Sequence, residues 1–227
     1  KKFKNGKKEI ELNGPYEIRS RDITVSSDPS SASFFIVGAL ITPHSKITLK
    51  NIMLNPTRTA FIKILMKMGG KIKIKKTKNM CGEEVGDITS EFSKLKGITI
   101  PSKMSAQLID EYPILSIAAT QAKGKTVMNG LEELRHKESD RIESTAYNLR
   151  KIGYKIEIIK NNMTINPKDI EIKNTLKIRT FADHRIAMSF SILNIIYENK
   201  LIIDNEDCIS ISYPEFQNHL KYLLKSN

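Results

Sequence analysis

Tryptophan is absent from this chain, and cysteine occurs twice, at Cys81 and Cys208, far apart and outside any CxxC spacing. A disulfide scaffold and a cysteine-built zinc site are thereby excluded, and a reducing compartment is expected. The four histidines, His44, His136, His184 and His219, make no pair at helical metal-ligand spacing, so no metal is expected. Neither GxGxxG nor GxSxG occurs. Gly124-Lys125-Thr126 matches the tail of a phosphate-binding loop, but Ala119 stands where that loop needs its first glycine, and no cofactor is expected. Long apolar runs are missing too. The longest, around residues 34–41, is far short of the ~20 residues that span a bilayer. No signal peptide is legible, which points to a cytoplasmic protein with no membrane partner. No aromatic residue interleaves the lysines at 71, 73, 75, 76 and 78, so that basic run is not a stacking platform for nucleic acid.

Lysine is what the chain has in excess. The formal charge of +12 admits nucleic acid, membrane surfaces and anionic metabolites as partners. Isoleucine and asparagine are heavily used as well, so part of that charge is compositional. With 40% apolar and 27% charged residues the chain is globular. Its 227 residues suffice for one large domain, or one and a half ordinary ones, with a proper core.

Periodicity and caps place the elements. Residues 8–12 alternate weakly, Asn13-Gly14-Pro15 turns, and residues 23–26 read as a strand. Asp28-Pro29-Ser30-Ser31 starts a helix, with aspartate as N-cap and proline at the first helical position. Residues 32–41 behind it are apolar nearly all round, so this helix must be enclosed. A strand follows at 47–52. Asn55-Pro56-Thr57 opens a helix with Phe61, Ile64, Leu65 and Met68 on one face, Gly69-Gly70 stops it, and residues 71–75 alternate as an exposed edge strand.

The same order recurs twice. Asp110 precedes an apolar helix at 114–122. Then come a strand at 126–131, a helix with Ile142, Ala146, Leu149 and Ile152 inward, a stop at Gly153 and a strand at 154–158. Asp183 precedes an apolar helix at 186–196 and a strand at 201–205. Ser212-Tyr213-Pro214 then opens a helix with Phe216, Leu220 and Leu223 or Leu224 inward. Asp28, Asp110 and Asp183 lie 82 and 73 residues apart, a diverged repeat too long for a solenoid. The predicted fold class is α/β: repeated helix-and-sheet units, buried parallel helices with sheets outside. The aspartate-led N-termini would gather at one end, where the helix dipoles favour an anion.

Arg135-His136-Lys137-Glu138-Ser139-Asp140-Arg141 lies between a strand and a helix of the second unit. If it opens that helix, Lys137 and Arg141 fall on one face, i and i+4, with Glu138 one step round. Two cations and a carboxylate there suit a dianionic ligand that must also exchange a proton. The plain alternative is a solvated, salt-bridged helix start. Asp183-His184-Arg185 puts acid, imidazole and guanidinium before a buried helix, where charged groups need partners. Its plain reading is an Asp183–Arg185 ion pair. Asp110-Glu111-Tyr112-Pro113, taken alone, is a pair of acids favouring a helix start.

Five segments in order, Asp28-Pro29-Ser30-Ser31-Ala32, Leu54-Asn55-Pro56-Thr57-Arg58-Thr59, Asp110-Glu111-Tyr112-Pro113, the charged stretch, and Asp183-His184-Arg185-Ile186-Ala187, resemble the C-terminal half of the EPSP synthase (3-phosphoshikimate 1-carboxyvinyltransferase) family. The resemblance covers nearly the whole chain. It implies an enolpyruvyl-transferase-type fold of two lobes, each of three helix-and-sheet units, with substrates bound between them. It places residues 1–52 in the last part of the N-terminal-half lobe and 53–227 as most of the C-terminal lobe. The preceding half of the enzyme is then the expected partner, in a monomer. The implied reaction transfers the enolpyruvyl group of phosphoenolpyruvate to the 5-hydroxyl of shikimate 3-phosphate and releases phosphate, on the route to chorismate.

By the same resemblance, Asp110 matches the residue that holds the shikimate hydroxyl and accepts its proton. Lys137 matches a lysine touching both substrates, and Glu138 a carboxylate for proton transfer at the phosphoenolpyruvate carbon. Arg141 and Arg185 match the two arginines that grip phosphoenolpyruvate, with His184 and Asp183 supporting Arg185. Glu133 and Ile211 depart from residues found in some members, asparagine and lysine, so those contacts do not transfer. The chain alone is expected not to turn over. Three other readings stand beside this one. UDP-N-acetylglucosamine enolpyruvyl transferase shares the fold and donor, but the charged stretch and Asp183-His184-Arg185 do not resemble its motifs. A non-catalytic RNA-binding relative leaves Asp110 and Glu138 unexplained. The third is a structural fragment that only complements its other half.

Overall fold

Three helices without a polar face organise the molecule, a computed structural model that describes residues 2–4, 7–9, 11–17, 19–20 and 22–225. In chain order the elements are β1 (Lys2–Lys4), β2 (Lys7–Glu9), α1 (Pro29–Ile41), β3 (Lys46–Met53), α2 (Ala60–Lys67), β4 (Lys71–Met80), β5 (Glu83–Glu91), β6 (Thr99–Ile100), α3 (Ser105–Leu108), α4 (Tyr112–Thr120), β7 (Thr126–Met128), α5 (Arg141–Ile152), β8 (Lys155–Ile159), β9 (Asn162–Asn166), β10 (Leu176–Ile178), α6 (His184–Ile196), β11 (Leu201–Ile203) and α7 (Phe216–Lys225).

The apolar helices are α1, α4 and α6, and each packs on the other two. Asp28 caps α1, accepting from the Ser31 backbone N–H at 2.7 Å with Pro29 next in line. Asp183 caps α6, accepting from the Arg185 N–H at 2.9 Å. The three run parallel. Their N-terminal ends meet at Arg185, whose Nη1 donates to the Asp110 carbonyl at 2.9 Å and lies 3.5 Å from Ser30 Oγ. Their C-terminal ends share a basin lined by Ile41, Gln121 and Tyr197.

The sheets lie outside this trio, as expected. One has strand order β3-β5-β4, all antiparallel; a second has β6-β7-β9-β8, parallel only between β6 and β7. Two-stranded sheets join β10 to β11 in parallel and β1 to β2 antiparallel. The lysine-rich β4 is an exposed edge. Acids of the central β5 face lysines on both sides, Lys46–Glu91 at 3.0 Å and Lys76–Glu84 at 2.8 Å. Gly69 and Gly153 end α2 and α5 with φ of 92° and 118°, where a Cβ would be strained.

Several expectations change. Residues 23–26 form no strand: Ile23 and Val25 are exposed and only Ser27 bridges, to Ile52. Residues 13–15 form no assigned turn, and residue 10 of the expected 8–12 alternation lies outside the described residues. The second helix begins at Ala60 because Asn55 Oδ1 accepts from the Thr57 N–H at 3.0 Å, closing a turn ahead of the helix. Strands β5, β6, β9 and β10 were not expected. β5 reads as polar, yet Val85, Gly86, Ile88 and Ser90 on it are buried because it pairs on both edges.

Packing is continuous across the division expected at residue 52. Phe34 and Phe35 of α1 lie against Phe216, with ring centroids 6.0 and 5.4 Å apart, and β3 pairs with β5 from Lys46↔Glu91 to Met53↔Val85. One core runs from Ala32 to Leu220. Ahead of it in the chain, Leu12, Tyr16, Ile23 and Val25 are exposed.

Enclosure of the trio makes a stability prediction. Phe190→Ala on α6 removes a side chain that is 0% exposed and should cost about 3–5 kcal/mol. Ile202→Ala, at a half-exposed position, should stay within about 0.5 kcal/mol. Equal shifts in the two urea midpoints would show that α6 is not enclosed.

Candidate active site

The residues before α5 do not continue its helix. Glu132–His136 forms a 3-10 turn, Lys137 is extended (φ −92°, ψ −163°), and α5 begins at Arg141 because Asp140 caps it, accepting from the Ile142 and Glu143 N–H groups at 3.1 Å. Lys137 and Arg141 are therefore not an i, i+4 pair on one helix. They converge all the same: Lys137 Nζ and Arg141 Nη1 lie 3.6 and 3.1 Å from the same oxygen, Asp110 Oδ1. Arg135 is turned to structure, holding Asp140 at 2.7 Å and the Lys160 carbonyl at 3.0 Å.

Arg141 is the hub. Its side chain is 1% exposed and meets three carboxylates: Asp183 from Nε at 2.8 Å, Asp110 from Nη1 at 3.1 Å and Glu138 from Nη2 at 2.5 Å. Asp183 is fully buried. Besides Arg141 it accepts from Ser139 Oγ at 3.0 Å and from the Arg185 N–H. The simple Asp183–Arg185 ion pair is thus not what forms. Asp183 takes the Arg185 backbone as a cap and the Arg141 side chain as counter-ion. The Arg185 guanidinium instead reaches across to the Asp110 carbonyl, Ser30 Oγ and, at 3.9 Å, Glu111 Oε1.

These contacts set the charge states. Burial pushes the Asp110 carboxyl up, but Arg185, Lys137 and Arg141 together outweigh it, and its pKa lies below the ordinary value. Burial likewise opposes ionisation of Asp183, and the Arg141 hydrogen bond and charge, with the Arg185 N–H and Ser139, hold it ionised. Burial lowers His184, and the Arg185 charge lowers it further against the pull of Asp183 and Glu138. Its imidazole is therefore neutral at pH 7, and the 4.0 Å approach of Nδ1 to Glu138 Oε1 is not a salt bridge. Burial raises Glu111 above its usual range.

Structure thus brings together all seven residues singled out in the sequence: Asp110, Lys137, Glu138, Arg141, Asp183, His184 and Arg185. It adds Ser30, Glu111 and Ser139. Glu111 had read as a helix-start acid, but it makes no capping bond; it accepts from Ser30 Oγ, 81 positions away in sequence. A second acid next to Asp110, ahead of a wholly apolar helix, was the available signal. Glu138 and Ser139 border a groove of about 870 Å³ that Asp110 and Arg185 do not line, and the side chains of Asp110, Lys137 and Glu138 keep part of their surface in solvent, so the cluster has one open face. Three cations (Lys137, Arg141, Arg185) stand against four carboxylates (Asp110, Glu111, Glu138, Asp183). The face can bind, orient and exchange protons, but it carries no surplus of positive charge.

Solved structures share this architecture. The enolpyruvyl transferase NikO from Streptomyces tendae matches with a TM-score of 0.61 at 13% identity, covering 89% of this chain and 44% of that one. The fold is therefore that of an enolpyruvyl-transferase-type lobe. EPSP synthase from Acinetobacter baumannii matches at a TM-score of 0.80 and 35% identity, over 88% of this chain and 46% of that one. Curated 3-phosphoshikimate 1-carboxyvinyltransferases from Petrotoga mobilis and Persephonella marina are 45% and 40% identical over 88% and 96% of this chain, and 46% and 50% of their own lengths. The family model for EPSP synthase (3-phosphoshikimate 1-carboxyvinyltransferase) matches residues 2–220, and the chain belongs to that family. It spans about half the length of the curated relatives it matches.

The hub makes its own prediction. Arg141→Ala leaves the buried Asp183 without its counter-ion and should cost about 3–5 kcal/mol near neutral pH. Because Arg141 depresses the folded-state pKa of Asp183, this stability is present above the ordinary aspartate range and is lost as pH falls through the depressed value. The gap between wild type and Arg141→Ala should therefore narrow on acidification. A gap that stays constant down to strongly acid pH would show that Asp183 and Arg141 are not paired.

Proposed function

We propose that this chain forms one wall of an EPSP synthase active site, and that the assembled enzyme transfers the enolpyruvyl group of phosphoenolpyruvate to the 5-hydroxyl of shikimate 3-phosphate. The observation that carries this reading is Asp110: an ionised carboxylate on an open face, held among Lys137, Arg141 and Arg185 where three buried helices begin. Family membership supplies the reaction, and this cluster supplies chemistry to match it. Neither the UDP-N-acetylglucosamine enzyme nor an RNA-binding relative is favoured by the matches.

In this mechanism Asp110 orients the attacking hydroxyl and takes its proton, a task that needs a carboxylate ionised near neutral pH. Glu138, half-exposed beside Arg141, takes up a proton from solvent and gives it to the methylene carbon of phosphoenolpyruvate. The hydroxyl oxygen bonds to C2, forming a tetrahedral adduct. Glu138 then removes a proton from the new methyl group as the C2–O bond to phosphate breaks and phosphate leaves. Lys137, the most exposed of the three cations, lies between the two substrates. Arg141 and Arg185 face the phosphoenolpyruvate anion, with planar forks suited to carboxylate or phosphate. Asp183 holds the Arg141 side chain and the Arg185 backbone in place, and His184 is assigned a supporting place beside Glu138.

The remaining cations come, in this proposal, from the other half of the enzyme, since this wall has none in excess. We assign the residues from Ser27 onward to the C-terminal lobe and the exposed stretch 11–26 to contact with the other lobe, in a cytoplasmic monomer. Among the described residues no helix is long and apolar enough to cross a membrane.

Mixing this chain with a separately purified N-terminal half should restore phosphate release from the two substrates, and neither half should turn over alone. No release from the mixture, with both halves folded, counts against the reading. In the assembled enzyme Asp110→Asn should lower turnover by about two orders of magnitude or more with little change in melting temperature; wild-type turnover in that variant would remove Asp110 as the base. Arg185→Ala should weaken phosphoenolpyruvate binding by about 1.5–3 kcal/mol and shikimate 3-phosphate binding much less. An equal loss for both ligands would break the assignment of Arg185.

A further inference from the structure

Behind Asp110 lies a group of three, the buried Ser30 and Glu111 and the partly exposed Arg185, of which the mechanism gives only Arg185 a task. Glu111 is 5% exposed and Ser30 2%. Glu111 Oε1 accepts from Ser30 Oγ. Ser30 Oγ lies 3.5 Å from both Nη1 and Nη2 of Arg185, so the guanidinium fork straddles it. Nη1 is also tied to the Asp110 carbonyl and stands 3.9 Å from Glu111 Oε1. The other charges facing Glu111 are Asp110 beside it and Arg58 ahead of α2.

A serine hydroxyl has one proton and two lone pairs. When Glu111 is ionised, that proton points at the carboxylate, and the lone pairs of Ser30 are left for the guanidinium. When Glu111 is protonated, its own O–H can donate to Ser30 and occupy one of the lone pairs that faced Arg185, and the serine proton is no longer held in one direction by a carboxylate. The Arg185 fork then loses an acceptor without any heavy atom having moved far.

We propose that Glu111 is a positioning residue: through the Ser30 hydroxyl it fixes the direction in which Arg185 is offered to an anion in the site. The inference rests on the proposed contact of Arg185 with phosphoenolpyruvate. Because burial moves Glu111 above the usual glutamate range, the loosening on acidification begins at a higher pH than an exposed glutamate would give. The folded protein then holds Arg185 firmly above that range and loosely below it.

The test uses the assembled two-lobe enzyme. Phosphoenolpyruvate and shikimate 3-phosphate are titrated separately, from about pH 5 to about pH 8, with wild type, Ser30→Ala and Glu111→Gln, and melting temperatures are followed alongside. Ser30→Ala should weaken phosphoenolpyruvate binding about tenfold across the range and change shikimate 3-phosphate binding by less than about twofold. Glu111→Gln keeps an oxygen to accept from Ser30 but cannot titrate. It should bind phosphoenolpyruvate within about threefold of wild type at the alkaline end and lose less affinity on acidification. An acid-side profile in Glu111→Gln identical to wild type, or an equal loss of both ligands in Ser30→Ala, overturns the proposal. A folded wild-type enzyme that binds neither substrate overturns the proposed function instead.

Discussion

A guanidinium that water cannot reach has to be neutralised by the protein, and that requirement at Arg141 fixes the geometry of the site. With its side chain 1% exposed, Arg141 would carry a desolvation penalty of several kcal/mol if unpaired. Three carboxylates meet it, each from a different place: Asp183 from the cap of α6, Asp110 from the turn before α4 and Glu138 from the segment before α5. Each partner is thereby tied to the start of a helix. A helix shifted by one turn, about 5.4 Å, would leave a carboxylate or the guanidinium without a partner. The buried ion pairs say little about net stability, because the cost of desolvation offsets most of the attraction. What they specify is the relative placement of three helix ends.

The same arrangement limits how the site can work. Four of the five N–H groups of Arg141 already have acceptors among Asp183, Asp110 and Glu138. An incoming anion must take the fifth or displace one of the less buried carboxylates. Glu138 is the one able to leave, since its carboxyl is half-exposed while that of Asp183 is fully enclosed. Binding of an anion at Arg141 is then coupled to release of the carboxylate that exchanges a proton with the substrate in the proposed mechanism. Arg185 is less committed: its polar partners are a backbone carbonyl, a serine oxygen and a distant carboxylate. Of the two arginines it has more of its charge to offer.

Much of this was legible in the sequence, and the parts that were not share a physical cause. The three apolar helices, and the aspartate caps of α1 and α6, could be read because capping and all-round burial are local properties of a short segment. The stops at Gly69 and Gly153 are local in the same sense. Strand β5 was missed because its burial comes from having a partner on each edge, which its own polar residues do not announce. The course of residues 135–141 was misjudged because charges at helical spacing suggest one helical face, whereas the strongest N-cap, Asp140, lies near the end of the stretch and delays the helix to Arg141. Packing across residue 52 could not be read because α1 looks like any buried helix until Phe34 and Phe35 are seen against Phe216. Glu111 was passed over because its partner Ser30 lies in another repeat unit.

The three repeat aspartates show how one device has been put to different uses. Asp28 caps α1 and pairs with Arg58 across 3.3 Å, with both side chains about half exposed, a contact worth little energetically. Asp183 caps α6 with one oxygen and anchors Arg141 with the other, so a structural role and support of the site coincide in one carboxylate. Asp110 caps nothing: α4 begins two residues later, and its carboxylate is left to Lys137 and Arg141 on the open face. Freedom from capping suits Asp110 to the role proposed for it, because a carboxylate that must hold a helix end cannot also release its acceptor to a substrate hydroxyl. Repetition of the unit brought three acids to one end of the trio, and divergence in what each acid must hold separated a surface cap, an anchor and the carboxylate proposed above as the base.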